Sequence, residues 1–192
     1  NIADGDELVS VRLTNGQQEL LIATRKGMAI RVKEEDVRAA GRFTQGVRGI
    51  SLEDGDYVIG MESLRPNTTV LTTCERGIGK RSDADDYRLI SRGGKGVINI
   101  KTTTKSGEVV GISEVTDGDE LIMITTGGQT IRIRVRDLRV LGRNTQGVRL
   151  FNLAEDDLVS AVSRVAESEE DEDDEAEGGA EGGDAPESPA TE

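Results

Sequence analysis

Three glycine-rich segments carry the residue types best suited to chemistry. They are Gly41-Arg42-Phe43-Thr44-Gln45-Gly46-Val47-Arg48, Ser91-Arg92-Gly93-Gly94-Lys95-Gly96-Val97 and Gly142-Arg143-Asn144-Thr145-Gln146-Gly147-Val148-Arg149. Each sets an Arg four residues before a Gly, and the middle one adds Lys95. Glycines let the main chain turn sharply and aim its N–H groups at an anion. Guanidinium and ammonium groups pair with phosphate oxygens. The chemistry on offer is therefore anion binding. The competing reading is that the glycines only make the turn while each Arg pairs with a neighbouring element. For one segment the two readings weigh about equally; recurrence in three favours binding.

Other chemistries lack their residues. The chain has no His, which removes Ser-His-Asp and Cys-His nucleophile arrangements. Its one cysteine, Cys74, allows neither an internal disulfide nor a thiolate cluster for zinc. Gly93-Gly94-Lys95-Gly96 is no nucleotide-binding P-loop: the first Gly is missing, no Ser or Thr follows the Lys, and no helix begins there. Acidic residues near the C-terminus lack EF-hand spacing. Tyr57 and Tyr87 have no supporting base. No catalytic residue and no metal site is expected in this chain. Its apolar runs are too short to span a bilayer, and no signal peptide opens it.

The segments recur because the chain repeats. Gly27, Gly77 and Gly128 each precede a second Gly by nineteen residues, at Gly46, Gly96 and Gly147. Asp4-Gly5-Asp6-Glu7 matches Asp54-Gly55-Asp56-Tyr57, so the chain opens inside an earlier copy and is expected to be part of something longer. A period near 50 residues belongs to arrays in which neighbours complete each other's cores. Each copy reads as strands. Leu20–Ala23, Val70–Thr73 and Leu121–Ile124 are short apolar runs. Ile131, Ile133 and Val135 alternate with Arg132, Arg134 and Arg136. A third strand is expected from Val47, Val97 or Val148, and a fourth around Val58, Val109 or Leu158. Asn15-Gly16, Asp54-Gly55, Ser106-Gly107 and Asp117-Gly118 suit turns that need positive φ. A helical turn is expected only at Glu34–Ala40 and its equivalents. Four strands per copy predict an all-β, propeller-like fold: residues 1–13 end a preceding blade, 14–165 form three blades, and 166–192 form a disordered acidic tail.

Charge divides the same way. The net charge of −13 comes from 37 acids against 24 Lys and Arg. Thirteen of those acids lie in Ala166–Glu192, which holds no basic residue, so residues 1–165 are formally neutral. A tail so acidic has little to bury and is expected to be disordered. Within the neutral body, Arg76–Lys105 holds eight basic residues and three acids, and Gly128–Arg149 holds six Arg and one acid. A basic edge is expected. The four aromatic residues argue against base-stacking recognition of single strands.

At these residues the sequence resembles the C-terminal domain of the DNA gyrase A protein, a six-bladed β-pinwheel. The likeness is clearest at Gly142-Arg143-Asn144-Thr145-Gln146-Gly147-Val148. The family's box, Gln-Arg-Arg-Gly-Gly-Lys-Gly, is matched in its last five positions by Arg92-Gly93-Gly94-Lys95-Gly96, with Ser91 and Ile90 departing before them. The resemblance implies that these are the last three blades, with the true box outside the chain. It implies a duplex DNA partner wrapped on the rim, held at phosphates by Arg31, Arg42, Arg48, Lys80, Arg81, Arg92, Lys95, Lys101, Arg132, Arg134, Arg143 and Arg149. It further implies that the whole protein dimerises, pairs with the gyrase B protein in an A2B2 complex in the bacterial cytoplasm at the nucleoid, and uses ATP and Mg2+ on other domains to introduce negative supercoils. The related domain of topoisomerase IV and a propeller-like protein-binding scaffold are the alternatives. The tail, as a tethered polyanion, is expected to compete with DNA for the rim.

Overall fold

The computed structural model describes residues 2–166. The tail expected to be disordered lies, apart from Ala166, outside the described residues. The chain forms antiparallel strands in the order β1 (Glu19–Thr24), β2 (Met28–Lys33), β3 (Val58–Leu64), β4 (Thr69–Cys74), β5 (Ile78–Asp83), β6 (Val97–Ile98), β7 (Val109–Val115), β8 (Glu120–Thr125), β9 (Thr130–Arg134), β10 (Val148–Arg149) and β11 (Val159–Val165). Single 3-10 turns follow β2, β5 and β9 at Glu34–Asp36, Ala84–Asp86 and Val135–Asp137. The helical turn expected at Glu34–Ala40 and its equivalents is thus this short.

Three sheets result among the described residues: β3-β1-β2-β6, β10-β5-β4-β7 and β11-β8-β9. The expected fold class is borne out, with one correction. A blade takes three strands from its own copy and the fourth from the next. Val97 and Ile98 pair with Ala29 and Met28, and Val148 and Arg149 pair with Gly79 and Ile78. Val47, expected to start a third strand, forms none among the described residues, because no β2-like strand lies beside it. The third sheet correspondingly has three strands, with β9 at its edge.

Strand exchange also explains where the core lies. Leu21, Ala23, Ala29 and Leu64 of the first blade pack with Val70, Ala84, Tyr87 and Ile112 of the second. Leu71 and Val115 of the second pack with Leu121 and Val135 of the third. These two faces are buried by the neighbouring copy, which is how repeat arrays gain stability. In β9 the expected alternation holds: Ile131 and Ile133 are half-buried between exposed Thr130, Arg132 and Arg134. Of the four turn glycines, Gly16, Gly55 and Gly107 have positive φ, while Gly118 does not.

Candidate nucleic-acid interface

The three glycine-rich loops lie end to end. Gly93 N–H donates to the Gly49 carbonyl (2.6 Å), and Ser51 N–H to that of Gly94 (2.9 Å). One copy on, Lys101 N–H donates to the Thr145 carbonyl (2.9 Å). Each loop therefore sits on the segment that follows the preceding loop. The three form one belt along a single rim, fixed by main-chain bonds.

Arginines fasten the belt. Arg92 donates from Nε to the Asp36 carbonyl (2.9 Å) and from a terminal nitrogen to that of Arg48 (3.4 Å). Arg143 makes the equivalent pair, to Asp86 (3.1 Å) and Ile98 (2.5 Å). These two arginines thus do what the competing reading required and tie one copy to the next. Arg42, at the same place in the first loop, is exposed and makes no side-chain bond among the described residues.

Three more of the twelve expected phosphate contacts are tied into internal bonds. Arg31 is bonded to Glu19 (2.5 Å), Asp85 (3.2 Å) and the carbonyls of Ala84 and Tyr87 in the next copy. Arg81 reaches Asp117 (2.6 Å) and Thr69 (2.6 Å) and is buried. Lys80 is 1% exposed; its ammonium donates to the carbonyls of Gly142 (3.0 Å) and Arg143. Burial, and then the Arg143 charge, push the Lys80 ammonium down to about 8. Each of these strand residues is bonded to the following copy.

The rest are on the surface. Arg48, Lys95 and Lys101 are exposed and, like Arg42, have no side-chain partner among the described residues. Arg149 touches Asn152 (3.4 Å). Arg132 and Arg134 flank Glu120. With Arg139 and Arg149 they line an open groove of about 740 Å3 along the free edge of β9, where Asp137 is the acid.

One set of cations was missed. Arg38, Arg88 and Arg139 are all exposed and unpaired among the described residues, each four residues before a loop arginine. Their spacing of 50 and 51 was the signal that could have found them: it is the period of the anchor glycines.

Other reactive groups are enclosed. Burial pushes the Cys74 thiol and the Tyr87 hydroxyl up to about 12, and Tyr87 donates to Asn99 Oδ1 (2.6 Å). No group of three or more His, Cys, Asp or Glu that could hold a metal occurs among the described residues. No helix there is long and apolar enough to cross a membrane.

Against known proteins, the family described as the DNA gyrase C-terminal domain, a beta-propeller, matches residues 18–65, 69–116 and 119–166. The DNA gyrase A protein of Salmonella typhimurium is 46% identical over 165 residues, 86% of this chain and 19% of that protein. The chain thus spans about a fifth of the length of such relatives. Among solved structures, a DNA gyrase A C-terminal domain superposes with a TM-score of 0.79 at 27% identity, covering 85% of this chain and 56% of the other. The C-terminal domain of a DNA topoisomerase IV gives 0.81 at 25%, covering 86% and 52%. Shape alone does not separate these two.

Proposed function

Since the chain belongs to the DNA gyrase C-terminal beta-propeller family, we propose that it wraps duplex DNA along the loop belt by its phosphates, without reading base sequence. The observation that carries this reading is the belt itself: three loops joined end to end, presenting Arg42, Arg48, Lys95 and Lys101 without internal partners among the described residues. Cations recurring along one edge suit a bent duplex held at its backbone. Such binding fixes position and path but carries no sequence information. Within a complete enzyme, wrapping presents a DNA segment of set handedness to a cleavage gate elsewhere. We assign the ATP, Mg2+ and cleavage chemistry of negative supercoiling to other domains of an A2B2 enzyme acting on the bacterial chromosome in the cytoplasm.

Binding of the 192-residue chain to a mixed-sequence duplex over a salt series tests this. Each phosphate neutralised adds about −0.9 to the slope of log K against log salt. Four free cations predict a slope of roughly −4, and adding Arg38, Arg88 and Arg139 steepens it to roughly −6. A flat salt response, or strong preference for one base sequence, would overturn the reading and favour a protein-binding scaffold.

A further inference from the structure

We propose that Lys80 is a positioning residue for DNA binding, a buried cation that holds the third loop in its working shape from beneath; this rests on the DNA-binding reading above. Its ammonium donates to the carbonyls of Gly142 (3.0 Å) and Arg143, the main chain on either side of the loop arginine's Cα. From the other side, the Arg143 guanidinium is held by the carbonyls of Asp86 and Ile98. The loop is thus gripped twice, once by its own side chain and once by a lysine of the preceding copy.

In the other two copies the same position is apolar. Counting from Gly27, Gly77 and Gly128, the equivalent residues are Ile30, Lys80 and Ile131. Ile30 is fully buried beneath the second loop, where a Cβ on Gly94 would lie 3.9 Å from its Cδ1. That loop carries its lysine at the tip, Lys95, whereas the third loop has Gln146 there and the lysine underneath. Placing an ammonium where an isoleucine fits costs desolvation. Its two carbonyl bonds offset that cost only while the group acts as a strong donor.

The groups facing Lys80 set its response to pH. Arg143 on the loop repels its charge, Asp86 on the 3-10 turn attracts it, and Cys74 lies on β4. Burial, and then the Arg143 charge, make the amine give up its proton more readily than an exposed lysine, so the tether weakens as pH rises through about 8. The contribution of Lys80 to global stability moves the other way. The unfolded chain binds this proton more tightly, so folding is favoured further as pH climbs from the folded toward the unfolded value. DNA affinity lost between pH 7 and 9 is therefore not explained by the Lys80 contribution to unfolding.

The test compares the wild-type chain with Lys80→Met, which keeps the apolar stem. Duplex affinity is measured at pH 7 and 9, and amide exchange of Gly142–Gly147, corrected for intrinsic rates, is measured without DNA. The variant is expected to lose loop protection and to bind about fivefold more weakly at pH 7, the effect of about 1 kcal/mol. The wild type is expected to show a similar loss by pH 9 that the variant lacks. A variant that keeps both the protection and the pH step overturns the proposal. If the wild type fails to bind duplex at all, the DNA reading falls, and the exchange data alone decide whether Lys80 holds the loop. If the variant fails to fold, the wild-type lysine is followed by 13C NMR; a titration near pH 8 without a matching change in loop exchange overturns the proposal.

Discussion

The first and third loops are almost the same peptide in two settings. Gly41–Arg48 and Gly142–Arg149 differ only in having Phe43 where the other has Asn144. The third loop is docked: Val148 and Arg149 form β10 against β5, Gly147 has φ of +78°, and Arg143 binds two carbonyls. The first loop is exposed throughout, Gly46 lacks positive φ, and Arg42 has no partner among the described residues. Nearly identical sequence thus gives a strand in one place and an open loop in the other. The acceptor strand of the preceding copy sets the conformation, and the loop sequence only permits it.

The sharpest way to break this comparison is at the last glycine. A Cβ on Gly147 would lie 2.5 Å from the Gly79 carbonyl oxygen, at a backbone angle that L-residues rarely adopt. One on Gly46 meets nothing within 4 Å. Gly147→Ala is expected to destabilise the chain by about 2–4 kcal/mol, and Gly46→Ala by less than about 0.5 kcal/mol. Urea unfolding of the two variants checks both. Equal losses would mean that the first loop is also docked in solution.

Next in size is the loop arginine. Arg143→Ala removes two charge-assisted bonds and leaves the carbonyls of Asp86 and Ile98 to water, at a cost of about 1–2 kcal/mol. Arg42→Ala is expected to leave stability unchanged, yet it should lower the salt slope of DNA binding by about 1, as loss of one phosphate contact does. The pair separates fastening from binding. If Arg42→Ala leaves the slope alone, the unpartnered arginine is not a DNA contact.

How much of this was legible in the sequence follows from the same loops. The period, the strands and the turn glycines are local signals, and the 50- and 51-residue spacings carried them. Strand exchange is not local. Val97 is followed by the same kind of loop and strand whether it pairs with its own copy or with Ala29 of the one before, so composition and alternation cannot distinguish the two. Burial of charge was equally hidden. Arg31 and Arg81 look solvent-facing in β2 and β5 until the next copy's 3-10 turn is laid across them. Lys80 was less hidden, since its equivalents Ile30 and Ile131 mark the position as apolar. Arg38, Arg88 and Arg139 stand in plain register, but they lie outside the glycine-rich segments that dominate the repeat pattern.

The smallest expected effect comes from the single difference between the loops. Phe43 is 82% exposed, and a ring with so few contacts contributes little to folding. Phe43→Asn, which makes the first loop identical to the third, is expected to change unfolding free energy by less than about 0.5 kcal/mol. If DNA is held through arginine and main-chain N–H groups alone, affinity should change by less than about twofold, under 0.5 kcal/mol. Aromatic side chains can act otherwise, by wedging between base steps and kinking the duplex. A tenfold loss of affinity in the variant, with its salt slope unchanged, would reveal such a wedge. The two loops would then differ in kind, the first bending DNA and the third only holding it.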